Sequence, residues 1–300
     1  MARLVLLAVL PLLLLFVAGD PYATAAAGGG RRFDPSRAVD VSWRPRAFLY
    51  EGFLSDAECD HLISLAKQGK MEKSTVVDGE SGESVTSKVR TSSGMFLDKK
   101  QDEVVARIEE RIAAWTMLPT ENGESMQMLR YGQGEKYEPH FDYIRGRQAS
   151  ARGGHRVATV LMYLSNVKMG GETVFPDAEA RLSQPKDETW SDCAEQGFAV
   201  KPVKGSAVLF FSLHPNATFD PGSLHGSCPV IQGEKWSATK WIHVRSYDEN
   251  GRRSSDKCED EHALCSSWAA AGECAKNPGY MVGTSDSPGF CRKSCNVCTS

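Results

Sequence analysis

His140 and Asp142 stand two residues apart in Tyr137-Glu138-Pro139-His140-Phe141-Asp142-Tyr143. On a strand that spacing puts both side chains on one face. A neutral imidazole and a carboxylate on one face can share a metal; a solvated strand end is the plainer alternative. A third donor, His225, lies far along the chain in Ser223-Leu224-His225-Gly226-Ser227-Cys228-Pro229. Two histidines and one carboxylate suit ferrous iron and leave coordination positions open. Ten residues after His225 comes Lys235, in Gly233-Glu234-Lys235-Trp236. A fixed ammonium there suits the distal end of a dicarboxylate co-substrate, and one charge-assisted pair contributes about 1.5–3 kcal/mol. A lysine on a surface turn is the alternative.

Elements to hold these residues can be read on either side. Ser55 and Glu58 have the capping-box spacing, and Leu62, Ile63 and Ala66 follow as a buried stripe, so a helix starts there. Val105, Ile108, Ile112 and Trp115 recur at helical spacing and predict a second helix from about Asp102 to Trp115. After Pro119 the texture changes. Met126, Met128 and Tyr131 alternate with polar neighbours, and Val157, Thr159, Leu161 and Tyr163 alternate within an apolar run. Phe198 to Val203, Ala207 to Leu213 and Trp236 to Val244 are further β-rich stretches. Helices followed by many short strands predict an α+β domain with a jelly-roll core.

The chain has 300 residues, 41% hydrophobic, with a formal net charge of -3. That is enough apolar material for a packed core and lacks the basic stripe of a general nucleic-acid surface. An apolar run from Leu4 to Ala18 follows Arg3, with small residues after it. It is shorter than the roughly 20 residues of a membrane span. It reads as the core of a signal peptide or, extended by Ala and Gly, as an uncleaved type II anchor. Either form directs the rest of the chain to the lumen of the secretory pathway. Ala25 to Arg32 reads as a spacer. Asn216-Ala217-Thr218 is a glycosylation sequon.

Around the candidate site the chain resembles secretory-pathway prolyl 4-hydroxylases of the plant and algal type. The resemblance rests on Tyr137-Glu138-Pro139-His140-Phe141-Asp142, Gly170-Gly171-Glu172-Thr173-Val174-Phe175-Pro176, Val200-Lys201-Pro202-Val203-Lys204-Gly205, Leu209-Phe210-Phe211 and His225-Gly226-Ser227-Cys228-Pro229-Val230. It covers about Asp34 to Tyr247, with the dioxygenase core, a double-stranded β-helix, at about 122–245. It implies that His140, Asp142 and His225 bind Fe(II), that Lys235 pairs with 2-oxoglutarate, and that Tyr131 and Thr173 line that co-substrate's pocket. It places Arg90, Ser92, Glu124, Tyr137, Arg156, Trp241 and His243 along a peptide groove. The implied reaction converts peptidyl proline to trans-4-hydroxyproline, with O2 consumed and 2-oxoglutarate decarboxylated to succinate and CO2. Ascorbate is the implied reductant. No protein acid or base is required beyond the metal centre. The implied partner is an extended proline-rich polypeptide, such as a cell-wall glycoprotein. Another hydroxylase of the same chemistry, or a secreted binding protein acting through its C-terminal module, are the rival readings.

That module follows a polar linker at 248–257. Six of the nine cysteines lie between Cys258 and Cys298. A segment this short needs staples, and six cysteines allow fifteen pairings. Gly289-Phe290-Cys291-Arg292-Lys293-Ser294-Cys295-Asn296-Val297-Cys298 resembles the ShK-toxin-like fold, which implies the pairs Cys258–Cys298, Cys265–Cys291 and Cys274–Cys295. A zinc site using Cys295-x-x-Cys298 is the alternative. Channel-blocking relatives carry a Lys-Tyr pair where this chain has Ser285 and Asp286. An accessory binding module and a stabilising cap are the remaining readings. Of the other three cysteines, Cys193 and Cys228 lie in polar, turn-rich stretches and are expected to pair, leaving Cys59 on the first helix as a buried thiol; Cys59–Cys193 and Cys59–Cys228 are the alternatives.

Overall fold

The computed structural model describes residues 33–77, 84–143, 153–180, 184, 186–247, 258–260, 262–283 and 289–298. The N-terminal apolar run, the spacer, the linker at 248–257 and the pair Ser285 and Asp286 lie outside the described residues. Among the described residues, no helix is long and apolar enough to cross a membrane.

Local chemistry sets both main helices. Helix α1 (Asp56–Gln68) starts at Ser55, whose side chain accepts from the Glu58 amide while the Glu58 carboxylate accepts from the Ser55 amide. This reciprocal bonding satisfies two donors that a helix start would otherwise leave open. Helix α2 (Glu103–Thr116) is capped by Asp102, which accepts from the Val105 amide. The two helices bury Leu62, Ala66, Val105, Ile108, Ile112 and Trp115 in one cluster with Met126, Met128, Val160, Met162 and Ala238 of a large sheet. Arg111 of α2 reaches back to Glu58 at 2.7 Å, with both groups buried.

The large sheet is antiparallel and nine-stranded, ordered Glu179–Ala180, Ala38–Arg44, Arg46–Tyr50, Ala207–Phe211, Arg156–Tyr163, Lys235–His243, Met126–Tyr131, Ser93–Leu97, Glu72–Lys73. A four-stranded sheet is ordered Phe198–Val200, Thr173–Phe175, His225–Ser227, Tyr137–His140. Tyr163, Val208 and Phe210 of the first meet Phe175, Phe198 and Val200 of the second in a shared cluster. The result is an α+β jelly roll with its helices on the outer side of the large sheet.

Strand Lys235–His243 is buried along its whole length, and its period of two separates two tasks. Lys235, Ser237, Thr239 and Trp241 line a pocket between the sheets. Trp236, Ala238 and Ile242 join the helix-side core, and Lys240 pairs with Glu109 of α2 at 2.5 Å. The strand expected over Phe198 to Val203 ends at Val200, shortly before Pro202, which has no amide to donate to a ladder. Strands Ala38–Arg44 and Arg46–Tyr50 were not marked by the sequence pattern.

Cys193 and Cys228 form a disulfide, and Cys59 is a free, buried thiol. In the C-terminal module the bonded pairs are Cys258–Cys298, Cys265–Cys291 and Cys274–Cys295. Helices Cys265–Ala270, Glu273–Lys276 and Pro278–Met281 surround a small interior of Cys265, Met281 and Cys291.

Candidate metal centre

His140 and His225 are register partners on adjacent antiparallel strands. Gly226 permits that approach, since a Cβ there would lie 2.9 Å from the Tyr137 carbonyl oxygen. Asp142 follows the end of the first strand. One ligand atom from each of the three residues lies within 4.8 Å of the others. His140 Nε2 is 3.7 Å from Asp142 Oδ1, and His225 Nε2 is 3.6 Å from Asp142 Oδ2.

The surroundings fix how each ligand presents itself. His140 Nδ1 faces the Glu138 carbonyl at 2.9 Å, and His225 Nδ1 faces the Ser223 carbonyl at 2.9 Å. Both Nδ1 atoms therefore carry the proton, and both Nε2 lone pairs point inward. Burial, then the neighbouring His225, pushes His140 down to about 3, so its ring is neutral at neutral pH. Burial would raise Asp142, but the two imidazoles, Arg156 and the Thr159 hydroxyl outweigh it and hold the carboxyl near 2. Thr159 Oγ1 donates to Asp142 Oδ2 at 2.7 Å. The donor set and its tautomers fit a divalent metal with open positions.

The pocket next to these ligands holds about 450 Å³, counting its open mouth. Lys235, Tyr131 and Thr173 line it. The Lys235 ammonium donates to Ser227 Oγ at 2.8 Å and, among the described residues, forms no ion pair with a carboxylate. Burial, partly offset by Glu172, lowers it to about 7. Tyr131 lies beneath that ammonium, 5.2 Å from ring centre, with the Ser92 and Ser227 hydroxyls as polar neighbours. Thr173 accepts from the Tyr163 hydroxyl at 2.7 Å, which leaves its own proton for an occupant. Ser237 Oγ and Trp241 Nε1 are buried in the pocket wall with no hydrogen-bond partner. A buried cation without an anion and two unsatisfied donors fit a small polyanionic occupant such as 2-oxoglutarate.

The seven residues assigned to a peptide groove separate into two groups. Arg90, Tyr137 and Trp241 line the pocket. The Tyr137 ring stacks on His140 with centres 3.6 Å apart, and Arg90 lies 4.7 Å over Tyr137. Ser92, Glu124, Arg156 and His243 stand behind the wall. Ser92 is fully buried against Ser74 and Tyr131. Arg156 holds both oxygens of Glu124 and lies 3.9 Å over the Trp241 ring. His243 is fully buried and meets Glu124 and the Gly154 carbonyl at 2.7 Å each. Burial raises Glu124, but Arg156 and His243 outweigh it and hold it near 2. Thr159, Ser227 and Ser237 were not singled out from the sequence. Each is a small hydroxyl at an inward strand position, and for Thr159 the one polar residue at such a position among Val157, Leu161 and Tyr163 was the available signal. Lys240, the other lysine of the strand, faces away to Glu109. Asn216 is exposed, with its side-chain oxygen accepting from the Thr218 hydroxyl at 2.7 Å.

Residues 126–243 match the model of the 2OG-Fe(II) oxygenase superfamily. Two Arabidopsis thaliana proteins, probable prolyl 4-hydroxylase 7 and probable prolyl 4-hydroxylase 6, are 63% and 64% identical to this chain. The first alignment covers 89% of this chain and 84% of the relative, the second 88% and 91%. The crystal structure of a viral collagen prolyl hydroxylase from Paramecium Bursaria Chlorella virus-1, as its 2OG complex, is 28% identical with a TM-score of 0.49. That match covers 65% of this chain and 94% of the viral one.

Proposed function

Because the chain belongs to the prolyl 4-hydroxylases of the 2OG-Fe(II) oxygenase superfamily, we propose that it acts on prolines of secreted, proline-rich polypeptides such as cell-wall glycoproteins. It is an oxidoreductase that hydroxylates peptidyl proline at carbon 4. The observation that carries the assignment is one pocket lined both by the clustered His140, Asp142 and His225 donors and by the Lys235 ammonium, which has no carboxylate partner among the described residues.

Bound ferrous iron supplies the activation of O2, coupled to decarboxylation of 2-oxoglutarate to succinate and CO2, with ascorbate as reductant. The protein's own residues do the rest by position. Lys235, Tyr131 and Thr173 hold the co-substrate's distal carboxylate away from the metal. Ser227 orients the Lys235 ammonium from below. Thr159 fixes the Asp142 carboxylate. Tyr137, Arg90 and Trp241 form the mouth, where the flat rings suit an extended proline segment. The buried walls exclude water from the reacting carbon.

The same reading puts the enzyme in the lumen of the endoplasmic reticulum or Golgi. The Leu4–Ala18 run, as leader or type II anchor, supports this, as do four disulfides, which persist in oxidising compartments. The Asn216 sequon would be glycosylated there. Residues 34–247 form the hydroxylase region and 258–298 the disulfide module. The test is turnover of a proline-rich peptide with Fe(II), 2-oxoglutarate and ascorbate, read by mass spectrometry. Gain of one oxygen on proline carbon 4 is expected. Hydroxylation of a lysine-rich collagen-like peptide instead would overturn the substrate class.

A further inference from the structure

We propose that Ser237 reads the distal carboxylate of the co-substrate, so that its hydroxyl helps the pocket prefer a 2-oxo dicarboxylate over a 2-oxo monocarboxylate. The inference rests on the 2-oxoglutarate reading of the pocket and adds a specificity-determining residue to it. Ser237 is 1% exposed, lines the pocket, and has no hydrogen-bond partner for its Oγ. A buried hydroxyl without a partner is uncommon in a folded protein and calls for one.

The neighbours of Ser237 leave its proton to an occupant and place it beside Lys235. Its register partners are Leu129 on one side and Tyr163 on the other. Leucine offers no acceptor. The Tyr163 hydroxyl is engaged with Thr173 at 2.7 Å and takes no bond from Ser237. Lys235 and Ser237 stand two apart on one strand and face the pocket together. The Lys235 ammonium lies 5.6 Å from the Tyr163 ring centre, so that one ring borders Lys235, Thr173 and Ser237. Trp241, whose Nε1 is also buried without a partner, stands elsewhere. It lies about 13 Å further along the strand and pairs with Thr159, which holds the metal ligand Asp142. Ser237 therefore belongs to the ammonium side of the strand and Trp241 to the metal side.

The supply of donors agrees. An ionised carboxylate offers about four lone-pair sites. One proton of the Lys235 ammonium goes to Ser227 Oγ, which leaves about two for a ligand. The Thr173 hydroxyl, whose oxygen accepts from Tyr163, has its own proton to give. The Ser237 hydroxyl supplies the remaining one. A ligand with a methyl group in place of this carboxylate would leave buried donors unpaired, and a site built on buried donors rejects such an analogue strongly.

Anaerobic calorimetry on the Fe(II)-loaded full chain tests this with two ligands. One is 2-oxoglutarate; the other is 2-oxopentanoate, which has the same carbon chain without the distal carboxylate. Ser237→Ala should weaken 2-oxoglutarate about tenfold and leave 2-oxopentanoate unchanged. Ser237→Cys fills nearly the same space with a weak donor and should show most of the same loss. Equal Fe(II) affinity in the wild type and both variants verifies that the site is folded. Unchanged 2-oxoglutarate affinity in Ser237→Ala would overturn the proposal. An equal loss for both ligands would overturn it too, by putting Ser237 at the keto-acid end. Wild-type affinity in Ser237→Cys would make the effect one of volume and would also count against it. Failure of the wild type to bind 2-oxoglutarate at all would instead overturn the reading of the pocket, and the proposal with it.

Discussion

Thr159 Oγ1 donates to Asp142 Oδ2 at 2.7 Å, and through that bond the large sheet holds a metal ligand that follows the small one. The same carboxylate faces His140 with its other oxygen, so the bond decides how Asp142 is turned. Thr159→Val keeps the shape and removes the donor. Metal affinity is expected to fall about 10–100-fold, the usual effect of losing a group that orients a ligand. Titration of the apo-protein with Fe(II) or Co(II) measures it. Unchanged affinity would remove Thr159 from the metal centre.

Lys235→Ala should leave metal affinity intact and raise the 2-oxoglutarate requirement by about one to two decades, from the ~1.5–3 kcal/mol of the lost pair.

The pH dependence of co-substrate binding has a definite sign. Burial holds the Lys235 ammonium at about 7, and a bound carboxylate raises that value. Above pH 7, binding therefore takes up a proton, and affinity weakens as pH rises. Below pH 7 the lysine is already charged and the uptake disappears. Calorimetry at pH 8 in buffers of different ionisation enthalpy reads the uptake directly. A zero value there would contradict the buried, unpaired ammonium.

Much of this site could be read from residue order because its geometry is local. His140 and Asp142 share a face through strand period alone, and the Ser55–Glu58 cap is a three-residue pattern. Lys235 and Lys240 show where local reading stops. Both sit on one strand, and only the odd–even register with the helices tells which faces the pocket and which pairs with Glu109. Ser92, Glu124, Arg156 and His243 were placed in the groove because their positions match a family pattern. Their placement behind the wall depends on contacts between residues far apart in sequence, such as Glu124 with His243. Strands Ala38–Arg44 and Arg46–Tyr50 carry mixed burial and no clean alternation, so pairing rather than pattern defines them.

Arg156 grips Glu124 through two nitrogens and supports the Trp241 ring from above. Arg156→Lys keeps the charge and loses the planar fork and its stacking. Trp241 should then lose its fixed orientation. The peptide KM is expected to rise about tenfold, in line with ~1–2 kcal/mol for a cation–π contact. An unaltered peptide KM would make the cluster a matter of stability alone, which a melting curve would then show.

The Cys193–Cys228 bond closes a sequence separation of 35 residues and ends three residues after His225. Constraining a loop of that length in the unfolded chain contributes about 3–4 kcal/mol in the chain-entropy description. The bond also ties strand His225–Ser227 to the short helical turn Asp192–Gln196, so it steadies a metal ligand as well as the fold. Replacing both cysteines with serine should lower stability by about that amount and weaken metal binding. Cys59 supplies an internal control. It is buried on α1, and burial pushes its thiol up to about 12, so a thiol reagent should not label it in the native protein. Labelling after denaturation without reductant should modify Cys59 alone, since the other eight cysteines are bonded. Label on Cys193 or Cys228 under those conditions would show the pair to be open, and the stability and metal-affinity losses expected of the double variant would then have no basis.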